Sequence, residues 1–263
     1  MNTKLHQWTD GFERASLAIN GINTVSYTIG NGRPLVFLHG GGTFTGFEYA
    51  RRWAGSHRVI VPYHPGFGES DDDPRIESID DYLLHYLDLF DALELYNFDL
   101  VGHSLGGWIA AEFAARHAAR LRKLVLIAPS GLVVPEVTMP DFFTIPEQEM
   151  PGYLTADPRV VLSYFPEERS VDFLTQRYRE TTSVARLCWG RPSGSPKLAQ
   201  WLHRVKLPTL LIWGDGDRLV PAAAAAAWKA KIADSRLELI PGAGHLVLEE
   251  KPEAADLVLK FLT

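Results

Sequence analysis

The chain has 263 residues and a mass of 29.3 kDa, enough for one globular domain or one domain with a sizeable insertion. Apolar residues make up 46% and charged residues 22%, which excludes a disordered chain, a collagen-like fibre and a coiled coil. With 26 basic and 32 acidic side chains the net charge is −6, the wrong sign for a protein that holds nucleic-acid phosphate.

No apolar run approaches the roughly 20 residues needed to cross a bilayer. The amino-terminal stretch MNTKLHQWTDGFERAS lacks the apolar core of a secretory signal. The one cysteine, Cys188, cannot form an internal disulfide, and no Cys/His cluster has zinc-ligand spacing. The expectation is a soluble cytoplasmic protein, a monomer or homodimer, with neither nucleic acid nor membrane as partner.

The predicted elements begin with two short strands, Phe12–Asn20 and Ile22–Ile29, joined by the hairpin signal Asn20–Gly21. The run Pro34–His39 is apolar on both faces, as in a buried parallel strand. A glycine-rich loop, a short helix near Phe44–Ala54 and a strand at Arg58–Pro62 follow. Ile79, Leu83, Leu84, Leu87 and Phe90 recur at helical spacing within 79–95. Phe98–Val101 reads as a strand, Leu105–His117 as an alanine-rich helix and Lys123–Ala128 as another buried strand.

Composition shifts after Pro129: residues 130–205 hold 8 of the 17 prolines and show only short, broken patterns. Regular alternation resumes with a strand at Pro208–Trp213, a helix at Pro221–Ile232, a strand at Arg236–Ile240 and a helix at Pro252–Leu262. Strands alternating with helices on both sides of the break predict an α/β fold around one mostly parallel sheet. The chain then divides into a first core part (1–129), a cap or lid (130–205) and a second core part (206–263).

Gly102-His103-Ser104-Leu105-Gly106 matches G-x-S-x-G between a predicted strand and a predicted helix. That pattern builds a tight turn with its serine strained and exposed, and small neighbours let the adjoining backbone approach. A serine hydroxyl needs a base. His245, in the glycine-containing loop PGAGH before the last helix, is the best placed of the nine histidines. His39 is expected to shape the loop after it, and His64 and His117 to be surface or packing residues.

The base in turn needs a carboxylate that fixes its tautomer. The segment WGDGDRLVP offers Asp215 and Asp217; Asp215 sits between glycines as a turn residue would, so Asp217 is preferred. His39-Gly40-Gly41-Gly42 supplies bare backbone amides for an oxyanion, with a partner amide on Leu105, the residue after the serine. GGGTFTG lacks the Lys-Ser/Thr of a phosphate-binding P-loop, and no G-x-G-x-x-G follows a strand.

Taken together, HGGG (39–42), PGFGES (65–70), GHSLGG (102–107), WGDGDRLVP (213–221) and GAGH (242–245) resemble the α/β-hydrolase fold family over roughly residues 20–129 and 206–263. The resemblance implies a triad of Ser104, Asp217 and His245, oxyanion donors on Gly41 and Leu105, and a helical cap after the sixth strand. It requires no metal or organic cofactor. A serine at the elbow points away from haloalkane dehalogenases and epoxide hydrolases, which use aspartate there.

Two branches remain: carboxylesterases acting on small or aromatic esters, and carbon–carbon hydrolases that split ring-cleavage dienoates. In the second, a cap arginine grips the substrate carboxylate, and Arg177 falls near that place. Those enzymes carry Asn before the serine and Trp after the histidine; His103 and Leu246 stand here, which favours the esterase. A non-catalytic ligand receptor is the remote third reading. Phe44, His103, Arg177, Trp189 and Leu246 are the candidate pocket residues, and a small-molecule ester is the expected substrate.

Overall fold

The computed structural model describes residues 8–190 and 194–263. The first seven residues of the amino-terminal stretch read above, and 191–193 within the proline-rich block, lie outside the described residues.

Strands β1 (Glu13–Ile19) and β2 (Ile22–Ile29) form the expected antiparallel hairpin. Asn20 and Gly21 turn it with φ of 51° and 84°, the left-handed pair that matches strand twist. β3 (Arg33–Leu38), β4 (His57–Pro62), β5 (Phe98–His103), β6 (Leu121–Ile127), β7 (Thr209–Gly214) and β8 (Ser235–Ile240) complete an eight-stranded sheet. Its order is β1-β2-β4-β3-β5-β6-β7-β8; β1–β2 and β2–β4 pair antiparallel, and every other pair is parallel.

Alternate residues of the central strands feed two cores. Val36, Leu38, Leu100 and Leu126 pack toward α1 (Ile79–Ala92) and α2 (Leu105–His117). Leu35, Phe37, Val101 and Val125 pack toward Trp53 and the last helix. Burial on both faces is why these strands read as continuous apolar runs. Ser78 opens α1 through a reciprocal capping box with Asp81.

Several boundaries differ from the sequence reading. The helix expected near 44–54 is a 3₁₀ segment, Glu48–Trp53. Strand β5 runs on to His103, because Gly102 pairs with both Leu38 and Leu126. The helix expected over 221–232 opens as a 3₁₀ turn before the α-helical part, Ala225–Lys231.

The excursion between β6 and β7 leaves at Gly131 and returns at Gly194, where the two glycines pair in a small parallel bridge. It carries α3 (Met150–Leu154), α4 (Pro158–Leu162) and α5 (Val171–Cys188), and α6 (Leu198–Trp201) follows the bridge on the way to β7. This is the helical cap of the fold. After α7 (Ala225–Lys231) and β8, α8 (Val247–Glu250) and α9 (Ala254–Leu262) close the chain. No described helix is long and apolar enough to cross a membrane.

Candidate active site

Strand order sets the site. The chain crosses from β3 to β4 in one direction and returns to β5 on the other side of β3, so a crevice opens beyond the carboxyl ends of β3 and β5. Leu38 pairs with Gly102, so the residues two further on, Gly40 and Ser104, come side by side. A Cβ placed on Gly40 would stand 3.3 Å from the Cβ of Ser104.

Ser104 has φ 53° and ψ −114°, a left-handed conformation that costs a non-glycine residue on the order of 1–3 kcal/mol. Its surroundings hold it there: its amide donates to Ile127 O at 3.0 Å, and its carbonyl accepts from Trp108 N (3.0 Å) and Ser130 N (3.1 Å). Gly106 has no room for a side chain, since a Cβ would collide with the carbonyl of Leu38. The Gly106 amide donates to His39 O at 2.9 Å, tying elbow and glycine loop together.

Adjacent strands deliver the other two residues. Ile240 of β8 pairs with Gly214 of β7, and the loops that follow bring Asp217 and His245 into contact. His245 Nδ1 lies 2.8 Å from Asp217 Oδ2, with both residues buried. The other oxygen, Oδ1, accepts the amides of Leu219 (2.9 Å) and Val220 (2.8 Å). Asp215, the competing carboxylate, instead accepts Gly242 N at 2.8 Å and pins the two loops.

The amides of Gly41 and Leu105 donate to no other group among the described residues. The loop that carries Gly41 is set by a buried histidine pair. His39 Nδ1 donates to Gly40 O (2.7 Å), and His39 Nε2 accepts the His64 amide (3.1 Å). His64 Nε2 donates to His39 O (2.8 Å), and its Nδ1 accepts the Tyr86 hydroxyl. Burial pushes His39 well below the usual imidazole value and His64 to about 3, so both are neutral. His39 shapes the loop as expected; His64, read as a surface or packing residue, is fully buried, and it also bonds to the same loop.

A cavity of about 390 Å³ opens over this arrangement. Ser104, His245, Gly41 and Leu105 line it, as do the expected Phe44, His103, Arg177 and Leu246. Trp189 does not. It ends α5 with 67% of its surface exposed, packed on Phe143 with ring centroids 5.0 Å apart, so it belongs to the outside of the cap. Of the other cap aromatics, Phe142 and Phe143 reach the cavity, while Phe165 stacks on Phe44 from outside it.

His103 donates Nε2–H to the carbonyl of His245 at 3.0 Å. Burial, with the neighbouring His245 adding to it, pushes its value to about 3. It is a neutral strut between elbow and histidine loop. Arg177 stacks its guanidinium 4.5 Å from the Phe44 ring centroid and lies 3.8 Å from the Glu180 carboxylate. Burial pulls the guanidinium below its ordinary value.

Two functional-site residues were not singled out from the sequence. Glu180 is fully buried on the inner face of α5. Its carboxylate accepts Thr43 N (3.1 Å), the Thr43 hydroxyl, Gly68 N (3.2 Å) and Gln176 Nε2 (3.0 Å). It therefore clamps the cap helix to the two loops beside the elbow. The signal was the stripe Arg177, Glu180, Val184 and Leu187, at the spacing of one helix face. The second residue, Glu249, lines the cavity four positions after His245. No group of three or more His, Cys, Asp or Glu among the described residues is placed to hold a metal ion.

Residues 35–255 match the model of the alpha/beta hydrolase family, and the chain belongs to that family. It is 30% identical to the 2-hydroxy-6-oxo-6-(2'-aminophenyl)hexa-2,4-dienoic acid hydrolase of Metapseudomonas resinovorans, over 92% of this chain and 88% of that one. It is equally 30% identical to a 2-hydroxymuconate semialdehyde hydrolase of Pseudomonas sp. strain CF600, over 92% and 91%. In structure it is similar to the naproxen esterase of Bacillus subtilis, with a TM-score of 0.79 at 20% identity over 99% of this chain and 98% of that one. That last likeness is one of fold.

Proposed function

We propose that the protein is a serine hydrolase that cleaves carboxylic esters of small or aromatic substrates through an acyl-enzyme on Ser104. The observation that carries this reading is the convergence on one cavity of a strained serine, a histidine held by Asp217 and two unpaired amides. Ser104 Oγ attacks the ester carbonyl carbon while His245 Nε2 takes its proton. Asp217 Oδ2 holds Nδ1–H and balances the imidazolium charge. The amides of Gly41 and Leu105 stabilise the oxyanion, each worth on the order of a hundred- to a thousand-fold in rate. His245 then protonates the departing alkoxide and activates the water that releases the acid. Neither metal nor organic cofactor enters these steps.

Arg177 favours a second reading. A guanidinium inside the cavity, beside the glycine loop, suits a substrate that carries its own carboxylate. One relative named above is a hydrolase of a hexa-2,4-dienoic acid, and with such a substrate the same serine and histidine would serve carbon–carbon hydrolysis. Against it stands His103, whose Nε2–H is already given to His245 O and is not free for a substrate.

The test is steady-state turnover of nitrophenyl acetate, butyrate and octanoate and of one dienoate ring-cleavage product. Wild type, Ser104→Ala and Arg177→Met are compared. The ester reading expects many turnovers per site on an ester, reduced about a million-fold in Ser104→Ala. A dienoate preferred over every ester, with that preference lost in Arg177→Met, would install the second reading. Activity that survives Ser104→Ala would sink both.

A further inference from the structure

Glu249 and Glu250 are neighbours in sequence with opposite fates. Glu250 is saturated by backbone: Oε1 accepts Asp157 N at 2.9 Å, and Oε2 accepts Gly244 N. Glu249 faces the other way, into the cavity wall, where its Oε1 accepts the Thr45 hydroxyl at 2.9 Å. Its own backbone amide also hydrogen-bonds the carboxylate; it forms no ion pair and accepts from no third residue among the described residues. Around it stand Tyr49 and Tyr164, with His245 on the preceding loop and Glu250 behind. Thr45 and Tyr49, like Glu249, line the cavity.

Glu249 is half-buried in the cavity wall with no cation beside it among the described residues, and the ester chemistry argued above makes no use of it. We propose that Glu249, positioned by Thr45, is a specificity-determining residue of the active-site cavity that accepts a hydrogen bond from a hydroxyl or amino group on the substrate. The inference rests on the hydrolase reading for the cavity's role, but its recognition chemistry stands on Glu249 and Thr45 alone. A pocket built to bond such a donor discriminates against the analogue that lacks it, because a ligand that fills the cavity cuts the acceptor off from water and leaves it unpaired.

Protonation tunes the acceptor. Burial, with Glu250 adding to it, raises the Glu249 carboxyl to about 7; the Thr45 hydroxyl, Glu249's own amide and His245 pull against that rise. The charged form accepts the stronger hydrogen bond. Selectivity for the donor is therefore expected to rise between pH 6 and pH 8. Tyr49 and Tyr164 keep their protons throughout this interval, since burial raises both, Tyr164 to about 12.

The experiment reads binding separately from catalysis. In the Ser104→Ala protein, calorimetric dissociation constants are measured for 3-phenylpropanoate and for its ortho-, meta- and para-hydroxyphenyl analogues. The same set is repeated with Glu249→Leu and with Glu249→Gln added. The expected result is one hydroxyl isomer that binds about tenfold tighter than the unsubstituted acid at pH 8. Glu249→Leu reverses that preference toward the unsubstituted acid, and Glu249→Gln keeps a smaller preference that no longer changes between pH 6 and 8. Affinities within twofold of one another, no binding by any isomer, or a preference that survives Glu249→Leu would overturn the proposal. Wild-type ester turnover is scored independently, so failure of the hydrolase reading is not confused with failure of this one.

Discussion

Asp217 divides its carboxylate between two tasks: Oδ2 holds Nδ1 of His245 at 2.8 Å, and Oδ1 accepts the amides of Leu219 and Val220. The loop bonds aim the carboxylate, and the carboxylate aims the imidazole. An aspartate in this position keeps the proton on Nδ1 and leaves Nε2 free to act as a base.

Asp217→Asn preserves shape but presents an amide that cannot both satisfy the two backbone donors and accept from Nδ1–H. Turnover on the best ester is expected to fall about 10³- to 10⁴-fold with little change in KM. Steady-state kinetics, with circular dichroism to show retained fold, checks this. A loss of less than tenfold would mean that Asp217 does not orient the base.

Glu180→Ala removes the acceptor shared by Thr43, Gly68 and Gln176 and leaves Arg177 without its nearest acidic partner. Orphaned buried donors predict a loss of about 3 kcal/mol in urea unfolding, and Glu180→Gln should lose less. Because Thr43 adjoins the glycine loop, Glu180→Ala should also lower kcat more than it raises KM.

Glu249 ties stability to pH in an unusual direction. Its folded value near 7 lies above the ordinary 4.5, so the folded state holds the proton more tightly than the unfolded chain. The resulting penalty develops as pH rises from about 4.5 and is complete above 7. Glu249→Gln should therefore stabilise the protein at pH 8, by about 1 kcal/mol for a half-buried carboxyl, and change little at pH 4.5. Equal effects at both pH values would contradict a raised carboxyl at Glu249.

His85 works in the opposite sense. It lies buried under the first hairpin with Nε2 3.2 Å from the Thr24 hydroxyl, and Nδ1 has no partner among the described residues. Burial lowers it to about 4, so the unfolded chain binds the proton first. Stability is full above pH 6.5 and falls as pH drops toward 4, by about 3 kcal/mol from this residue. His85→Leu should flatten the acid limb of a urea-midpoint profile by about one proton and leave turnover at pH 8 unaltered.

Much of the fold was legible because it rests on local signals. Asn20–Gly21 marked its hairpin by a conformation other residues avoid, and Leu105–His117 matched its helix end to end. Misplaced boundaries occurred where a long-range pair overrode local preference. Gly102 continues β5 only because Leu38 and Leu126 flank it, and the 3₁₀ segment at 48–53 is tied to the last helix through Trp53, whose Nε1–H donates to Ala255 O at 2.9 Å.

That the elbow serine and the Asp217–His245 pair would stand at the strand ends was readable because each of their loops carries glycines and turn residues beside it. Choosing Asp217 over Asp215 by geometry took the register of β7 against β8, which sends one carboxylate to His245 and the other to Gly242. Trp189 was misjudged because an aromatic in a cap has no local mark to tell the cavity side from the solvent side.

By itself the sequence determined the alternation of buried strands and helices, the tight serine turn and the hydrolase family, since each is written in patterns spanning a few residues. Only the tertiary structure decided that Glu180 bonds the glycine loop from 137 positions away, and that of two adjacent glutamates one bonds backbone while the other faces the cavity. The physical reason is burial. A carboxylate reads the same in sequence wherever it stands, and its role follows from which donors remain beside it once packing has excluded water.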